Sequence, residues 1–262
     1  MMGMVRRWLA LLVVASLVAA CTSSSSGTAS GPQQTQLTVF AASSLSKAFD
    51  QIGQDFHTLY PDVRVTFDYG SSTDLAAQIQ SEGTADVFAS ASGTAMDTLA
   101  SEPGVTNRTN FATNRLTVIT PPGNPAGIDS FQDLAKPGVR LVLAAEGVPV
   151  GDYAREALKN AGILNQASAN VVSNEDDDAS VVGKVTSGEA DAAIVYTSDV
   201  AAAGDAVRSV DIPDDVNVTA TYPIAVVTGT THPDQAAEFV SYVTSTEGQD
   251  VLKLFGFGPP GG

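Results

Sequence analysis

Hydrophobic and polar residues follow one another along this chain in patterns that predict strands leading into helices. An apolar run over residues 37–42 ends at two serines, and apolar side chains then recur on one helical face over residues 45–59. Pro61 ends that pattern. Ser43 or Ser44 is therefore predicted to cap the helix. A helix N-terminus also presents unpaired N–H groups, so the same turn suits an oxyanion.

The same alternation continues to the end of the chain. Strand-like runs followed by helical patterns indicate an α/β fold with parallel strands. Strands are predicted at residues 63–69, 86–89, 116–120, 140–144, 192–196 and 224–228, and helices at 75–81, 95–100, 153–161, 180–187, 233–244 and 247–255.

Several predicted strands run into turns made of small or polar residues. In open α/β sheets, ligands bind at the carboxyl ends of strands, which makes these turns candidate binding elements. After Ser43 and Ser44, the next is the turn at residues 69–74, where Ser71 and Ser72 offer hydroxyl donors. A third is Gly147-Val-Pro-Val-Gly151, in which only backbone N–H groups can donate.

Two further candidate positions at strand ends are an acidic run and a tyrosine. Acidic residues 175–178 precede a helical pattern and are interpreted as helix N-terminal residues or a solvated face. Their spacing lacks the alternating acids and central glycine of a calcium loop. Tyr196 ends a strand, where its phenol either donates into a cleft or anchors the core.

The N-terminus has the pattern of an exported lipoprotein. Residues 1–20 combine two arginines, a short apolar run and small residues, as in a signal peptide, and the run is too short to span a bilayer. Cys21, the single cysteine, follows Val-Ala-Ala and resembles a lipobox, so we expect it to be the lipidated mature N-terminus. Residues 22–36 are predicted to be a flexible tether, with the folded part beginning near Leu37.

The net charge excludes some classes of partner. The full chain carries a formal charge of −16. Without residues 1–20, 11 basic and 29 acidic side chains remain, a charge of −18. Nucleic acid is therefore not an expected partner. Distant charges are screened beyond roughly 8 Å, so local donors decide whether an anion binds.

The sequence shows no complete signature of catalysis or of nucleotide binding. A G-x-G-x-x-G at residues 256–261 contains two prolines and is followed by a single residue, so no helix can follow it to bind a pyrophosphate. His57 and His232 lie far apart in sequence and have no third group spaced for a triad or a zinc site. We therefore expect neither an enzyme nor a cofactor.

Taken together, six segments are similar to one family, the bacterial molybdate-binding proteins of ABC transporters. The resemblance runs in order over about residues 37–257, and the combination is far more specific than any single segment. The segments are Thr38-Val-Phe-Ala-Ala-Ser-Ser-Leu45, Gly70-Ser-Ser72 with Leu75-Ala-Ala-Gln-Ile79, Ala85-Asp-Val-Phe88, Val148-Pro-Val-Gly-Asp-Tyr-Ala-Arg-Glu-Ala-Leu158, Ile194-Val-Tyr196 and Tyr222-Pro-Ile-Ala-Val-Val227.

The resemblance implies a two-lobed periplasmic-binding-protein fold, each lobe a mixed, mostly parallel sheet flanked by helices. Lobe 1 would comprise residues 37–113 with 221–262, and lobe 2 residues 114–220. A tetrahedral oxyanion would lie in the cleft, held by neutral donors. Molybdenum would be held only as molybdate, through these residues: Ser44, Ser72, Val150, Asp178 and Tyr196, with Ser43, Ser71 and Asp177 as possible additions.

Asp178 departs from the family pattern, in which an apolar residue is common at the matching position. The resemblance gives that position the role of a backbone donor. A carboxylate there would repel a dianion unless the side chain turned outward. It could instead accept the proton of hydrogen phosphate, and the match could also be shifted by one to Asp177.

The sequence thus predicts a monomeric, lipid-anchored receptor outside the cell membrane. It would capture molybdate and tungstate and deliver them to an ABC permease. The alternatives are a receptor for sulfate or phosphate, and a secreted α/β hydrolase, for which Ser44 lacks a nearby histidine. A ferric receptor is disfavoured because no second tyrosine adjoins Tyr196.

Overall fold

The computed structural model describes residues 34–261 of the chain. The predicted signal peptide, Cys21 and most of the predicted tether lie outside the described residues. The first strand, β1, begins at Thr35, so two residues assigned to the tether belong to the sheet. Among the described residues, no helix combines the length and the hydropathy needed to cross a bilayer.

The first group of elements forms a parallel sheet around a central β1. This strand pairs with β2 on one side and with β3 on the other. β1 is buried on both faces, as expected for a central parallel strand. The elements are β1 (Thr35–Ala42), α1 (Ser46–Leu59), β2 (Val63–Gly70), α2 (Ser72–Glu82), β3 (Val87–Ala89) and α3 (Gly93–Asp97).

A long strand, β4 (Val105–Thr120), links this group to a second one. Its first part pairs antiparallel with β9 (Thr219–Val227), and residues 116–119 pair antiparallel with β7. The sequence predicted a strand only at residues 116–120, because the preceding residues are largely polar and exposed and give no apolar pattern.

The second group repeats the arrangement of strands followed by helices. Here β5 lies between β6 and β7 and is parallel to both. The elements are β5 (Leu141–Ala144), α4 (Pro149–Asn160), α5 (Leu164–Ser168), β6 (Val171–Glu175), α6 (Asp178–Thr186), β7 (Ala192–Tyr196), α7 (Thr197–Ala203) and β8 (Arg208–Val210), and after β9 come α8 (Pro233–Val243) and α9 (Thr246–Leu254).

The complete strand order is β2-β1-β3-β9-β4-β7-β5-β6, with β8 beside β4. All antiparallel pairs involve β4 or β9, the two strands that run between the groups. The other pairs are parallel. The fold is thus the mixed, two-lobed α/β architecture that was predicted.

An aromatic cluster fixes α1 against the first group of strands. Phe49 lies 5.8 Å from Phe111 of β4 and 6.1 Å from Phe239 of α8, measured between ring centroids. All three side chains are fully buried. Because such rings contribute much of the apolar area that a core buries, this contact holds the start of α1, and the serines before it, in place.

Candidate functional site

Five strand-to-helix turns meet around one small cavity. The turns follow β1, β2, β5, β6 and β7, so the carboxyl ends of strands from both groups face each other. The space between these turns is about 210 Å³ even when the part open to solvent is counted, which is below the usual range for organic ligands and suits a small ion. The lining residues are Ala42, Ser43, Ser44, Gly70, Ser71, Ser72, Ala91, Val148, Pro149, Val150, Asp177, Asp178 and Tyr196. Every site residue predicted from the sequence, apart from the lipidation site, is among them.

The first serine pair does not cap a helix by its side chains. Ser43 begins a 3-10 turn, and Leu45 is the residue before α1, with no side-chain cap at either position. The capping prediction for Ser43 and Ser44 is therefore wrong. Instead, Ser43 donates a hydrogen bond to Oδ1 of Asp178, and Ser44 Oγ lies 3.0 Å from the hydroxyl of Tyr222. Both hydroxyls therefore make hydrogen bonds at the cavity wall and not at a helix end.

The second serine pair opens α2 at the cavity wall. Ser72 Oγ accepts a hydrogen bond of 2.9 Å from the Ala91 N–H, which leaves the hydroxyl hydrogen of Ser72 available. Ser71 precedes the helix, and its hydroxyl is buried. A buried hydroxyl without a partner is costly, which makes the surroundings of Ser71 a place where a ligand atom is expected.

Helix α4 points its N-terminus at the cavity. Pro149 occupies the first turn, where its missing N–H is not needed, and Val150 and Gly151 follow. The first N–H groups of a helix have no partner within the helix and carry a partial positive charge. The backbone N–H of Val150 is therefore a donor at the cavity wall, in keeping with the prediction that only backbone groups can donate from this turn.

Tyr196 ends β7 with its side chain fully buried in the cavity wall. In the described part of the chain, the buried side-chain polar atoms without a hydrogen-bond partner are Ser71 Oγ and Tyr196 OH. Burial raises the pKa of the Tyr196 phenol well above its usual value, so the hydroxyl keeps its proton and can only donate to an anion. Two orphaned donors thus face the same small space.

The acidic run divides between a helix cap and the cavity. Asp177 accepts a hydrogen bond of 2.7 Å from the Ser180 N–H and so caps α6, as predicted for a helix N-terminal residue. Asp178 is only 4% exposed and contacts Ser43. Burial, and then the neighbouring charge of Asp177, raise the pKa of Asp178 to about 7. The structure therefore contradicts an outward-turned side chain at this position.

Beneath the lining residues lies a layer of polar side chains that the sequence analysis missed. Asn114 Nδ2 donates hydrogen bonds to Ser198 Oγ, at 2.8 Å, and to the Tyr222 hydroxyl, at 3.4 Å. Asp199 is buried and accepts a hydrogen bond of 2.8 Å from the Tyr196 N–H. Tyr222 and Asp199 could have been suspected, because one opens a quoted motif and the other lies three residues after Tyr196. Asn114 carries no such signal.

A hydrogen bond joins the two groups of strands beside the cavity. Thr73 Oγ1, in the first turn of α2, donates to the carbonyl of Gly147 at 2.6 Å. Ser92 and Tyr153 line the same neighbouring cleft as these two residues. Movement of one group of strands relative to the other would therefore break the contact between Thr73 and Gly147.

The site can bind an anion but lacks the parts of a nucleophilic catalyst. None of the lining residues is basic, so helix N-termini and neutral hydroxyls supply the favourable potential. Neither His57 nor His232 lines the cavity, and His57 is hydrogen-bonded to the Val63 carbonyl. Within residues 34–261, no cluster of histidine, cysteine and acidic side chains could hold a metal ion.

The raised pKa of Asp178 predicts that Asp178→Asn stabilises the empty protein at alkaline pH. The folded state binds more protons than the unfolded state between about pH 4 and about pH 7, so stability falls with rising pH through that window. At about pH 8 the variant should exceed the wild type by on the order of a few kcal/mol, and near pH 4 the two should agree. Urea unfolding at both pH values measures this, with the exposed Asp176→Asn as control. Equal stability at pH 8 would contradict the buried, ionising Asp178.

Comparison with known families supports the resemblance seen in the sequence. The model of the family described as bacterial extracellular solute-binding protein matches residues 37–258. The molybdate-binding protein ModA of Mycobacterium tuberculosis is 38% identical, in an alignment that covers 97% of this chain and 100% of that protein. These matches confirm the family resemblance drawn from the six segments.

Solved structures of proteins named for different solutes show the same fold. The periplasmic molybdate-binding protein of Azotobacter vinelandii superposes with a TM-score of 0.77 at 20% identity, covering 86% of this chain and 100% of that one. The sulfate-binding protein SubI of Mycobacterium tuberculosis gives a TM-score of 0.78 at 18% identity, covering 86% and 87%. At these identities the likeness shows the fold and does not identify the anion that this chain binds.

Proposed function

Because this chain belongs to the bacterial extracellular solute-binding proteins, we propose that it captures molybdate, and tungstate as well, and delivers the anion to an ABC permease. The proposal is supported by relatives named for molybdate binding that align along nearly the whole chain. Permease delivery follows from the mode of action of such receptors, in which closure around the solute presents a new surface.

The observation that carries the proposal is the pair of orphaned hydroxyls, Ser71 Oγ and Tyr196 OH, in a cavity without a basic side chain. Each is a buried donor that needs an acceptor, and a fully deprotonated tetrahedral oxyanion supplies acceptors in every direction. Neutral donors disperse the charge of such an anion without a countercharge.

The proposed ligand shell consists of five residues from the five turns. Ser44 and Ser72 would each donate from hydroxyl and backbone, Val150 and Asp178 from the backbone, and Tyr196 from its phenol. Ser43, Ser71 and Asp177 remain possible additions, and the unpartnered hydroxyl gives Ser71 the strongest claim among them.

The polar layer beneath the cavity orients the groups next to Ser44. Thr197 and the Arg115 N–H both donate to Oδ1 of Asn114, which fixes the Asn114 amide with its Nδ2 toward Tyr222. Tyr222 receives a hydrogen bond from Asn114 and shares another with Ser44, in which either hydroxyl can donate. When Tyr222 donates, the Ser44 hydrogen is free for the anion.

The expected selectivity among anions depends on the size of each anion and on whether it carries a proton. Molybdate and tungstate are nearly equal in size, whereas the smaller sulfate would stretch several hydrogen bonds, each worth about 1 to 3 kcal/mol when lost in a buried site. The inward carboxyl of Asp178 favours a second candidate, hydrogen phosphate, since its proton needs an acceptor.

We also propose the lobe boundaries and the anchor predicted from the sequence. Lobe 1 would comprise residues 37–113 with 221–262, and lobe 2 residues 114–220. The change of partner along β4, from β9 to β7 near residue 115, supports that division. Lipid on Cys21 would hold the receptor at the membrane as a monomer, and a relative named as a substrate-binding lipoprotein supports that idea.

Titration calorimetry of the chain without residues 1–21 tests the function. Molybdate and tungstate should bind tightly, and sulfate should bind about thirtyfold more weakly or worse if two hydrogen bonds are stretched. Phosphate binding in preference to molybdate would support the second candidate. Failure of all four anions to bind would contradict an oxyanion receptor and would reopen the hydrolase alternative.

A further inference from the structure

The carboxyl of Asp178 lines the cavity, and the carboxyl of Asp199, beneath the lining residues, lies within hydrogen-bonding reach of it. Asp178 is 4% exposed and Asp199 is 7% exposed. Neither takes part in a salt bridge with a described residue. Two ionised carboxylates in this position would face each other and, when the site is filled, a dianion as well.

Resting on the proposed function, we infer that the site binds its dianion together with one proton, which is taken from solvent by the carboxylate of Asp178. Protonated Asp178 then donates to the anion or to a neighbouring hydroxyl, and the side chain that would repel the ligand becomes a neutral member of its shell. The O–H bond that forms on Asp178 is matched by the bond to hydrogen that breaks in the hydronium ion or buffer acid of the solvent, and no bond of the anion changes.

The groups that face Asp178 offer no cation to hold it ionised. Asp177 precedes it as the cap of α6, Asp199 approaches from α7, and the phenols of Tyr196 and Tyr222 approach from β7 and β9. Tyr153 of α4 lies beyond Tyr196, and the 3-10 turn contributes only hydroxyls. Every titratable neighbour is thus an acid or a phenol, and an added dianion can only favour protonation.

The positions of the two carboxyls indicate which of them gains the proton, because Asp178 lines the cavity and Asp199 does not. Oδ2 of Asp199 accepts a hydrogen bond from the Tyr196 N–H, away from the anion. Burial and the charge of Asp178 raise the pKa of Asp199 well above its usual value. The pKa of Asp178 is raised to about 7, so this carboxyl is the one that changes state near neutrality.

Calorimetric titration with molybdate tests the inference, in buffers of different ionisation enthalpy at about pH 6 and about pH 8. Since molybdate is deprotonated at both pH values, proton uptake reports the protein alone. Uptake should rise from about 0.1 to about 0.9 proton per anion, and the dissociation constant should rise about tenfold over the same interval.

Three isosteric variants assign the proton. Asp178→Asn should lose the uptake and the pH dependence, whereas Asp199→Asn should keep the uptake. Asp176→Asn, an exposed neighbour in the same acidic run, is the matched control and should behave as the wild type. Loss of uptake in Asp199→Asn but not in Asp178→Asn would overturn the assignment to Asp178.

The outcomes separate this inference from the function on which it rests. Molybdate binding without proton uptake at either pH would overturn the inference and leave the receptor function intact. No molybdate binding at any pH would overturn both. Hydrogen phosphate that binds to the protein without proton uptake, in preference to molybdate, would make ionised Asp178 the acceptor of the ligand's own proton and would also overturn the inference.

Discussion

Replacing Ser44 and Ser72 together by alanine is expected to weaken molybdate binding by about a hundredfold or more while the fold remains intact. Each variant removes one hydroxyl donor to the anion, and a buried hydrogen bond to a charged group contributes about 1.5 to 3 kcal/mol. Two such losses correspond to a weakening of about a hundredfold to about ten thousandfold. Calorimetric titration measures the affinity, and circular dichroism shows whether the fold is retained.

The structure supplies a matched control for that double variant. Ser81 and Ser241 are exposed serines on α2 and α8, and replacing both by alanine should leave the affinity unchanged. Ser72→Ala also leaves the Ala91 N–H without its acceptor, so a modest loss of stability is expected from that change alone. Retained affinity in a folded double variant would sink the assignment of these serines to the site.

Gly151→Ala is expected to damage both stability and binding. An added Cβ would lie 2.3 Å from the carbonyl oxygen of Ala145 and 2.5 Å from that of Ala144, and neither backbone atom can rotate away. The start of α4 must shift, which moves the Val150 N–H away from the cavity. Overpacking of this kind costs about 1 to 3 kcal/mol, and a displaced donor should weaken binding about tenfold or more.

A second helical glycine provides the control for Gly151→Ala. Gly183 lies within α6, is exposed, and has no atom within 4 Å of an added Cβ. Gly183→Ala should therefore stabilise the protein by about 0.4 to 1 kcal/mol through reduced freedom of the unfolded chain. Urea unfolding and titration of both variants test the pair. Unchanged stability in Gly151→Ala would mean that the helix start is not held by those carbonyls.

The serine turn after β1 follows partly from the local sequence and partly from contacts that are distant in sequence. The pattern of apolar residues correctly predicted a strand, a turn and a helix, since that pattern is local. It could not decide between capping and binding, because both use the same hydroxyls. The partners that decided the question, Asp178 and Tyr222, lie more than a hundred residues away.

The first part of the long strand β4 could not be predicted from the sequence. β4 begins at Val105, but its first residues are polar and exposed, so the sequence shows no strand pattern there. Its structure depends on pairing with β9, which is distant in sequence. The mixed, two-lobed α/β class was nevertheless predicted, because the parallel strands inside each lobe are apolar and alternate with helices.

By itself the sequence determined the fold class, the turns that form the cavity and the family. The comparisons confirm the family, whose members are solute-binding proteins and not enzymes. These three inferences depend on local periodicity and on short segments. Only the tertiary structure decided that Asp178 turns inward, that it meets Asp199, and that Ser71 and Tyr196 are left without partners. The reason is physical: burial and hydrogen-bond pairing are properties of groups that come together only when the two lobes fold and face each other.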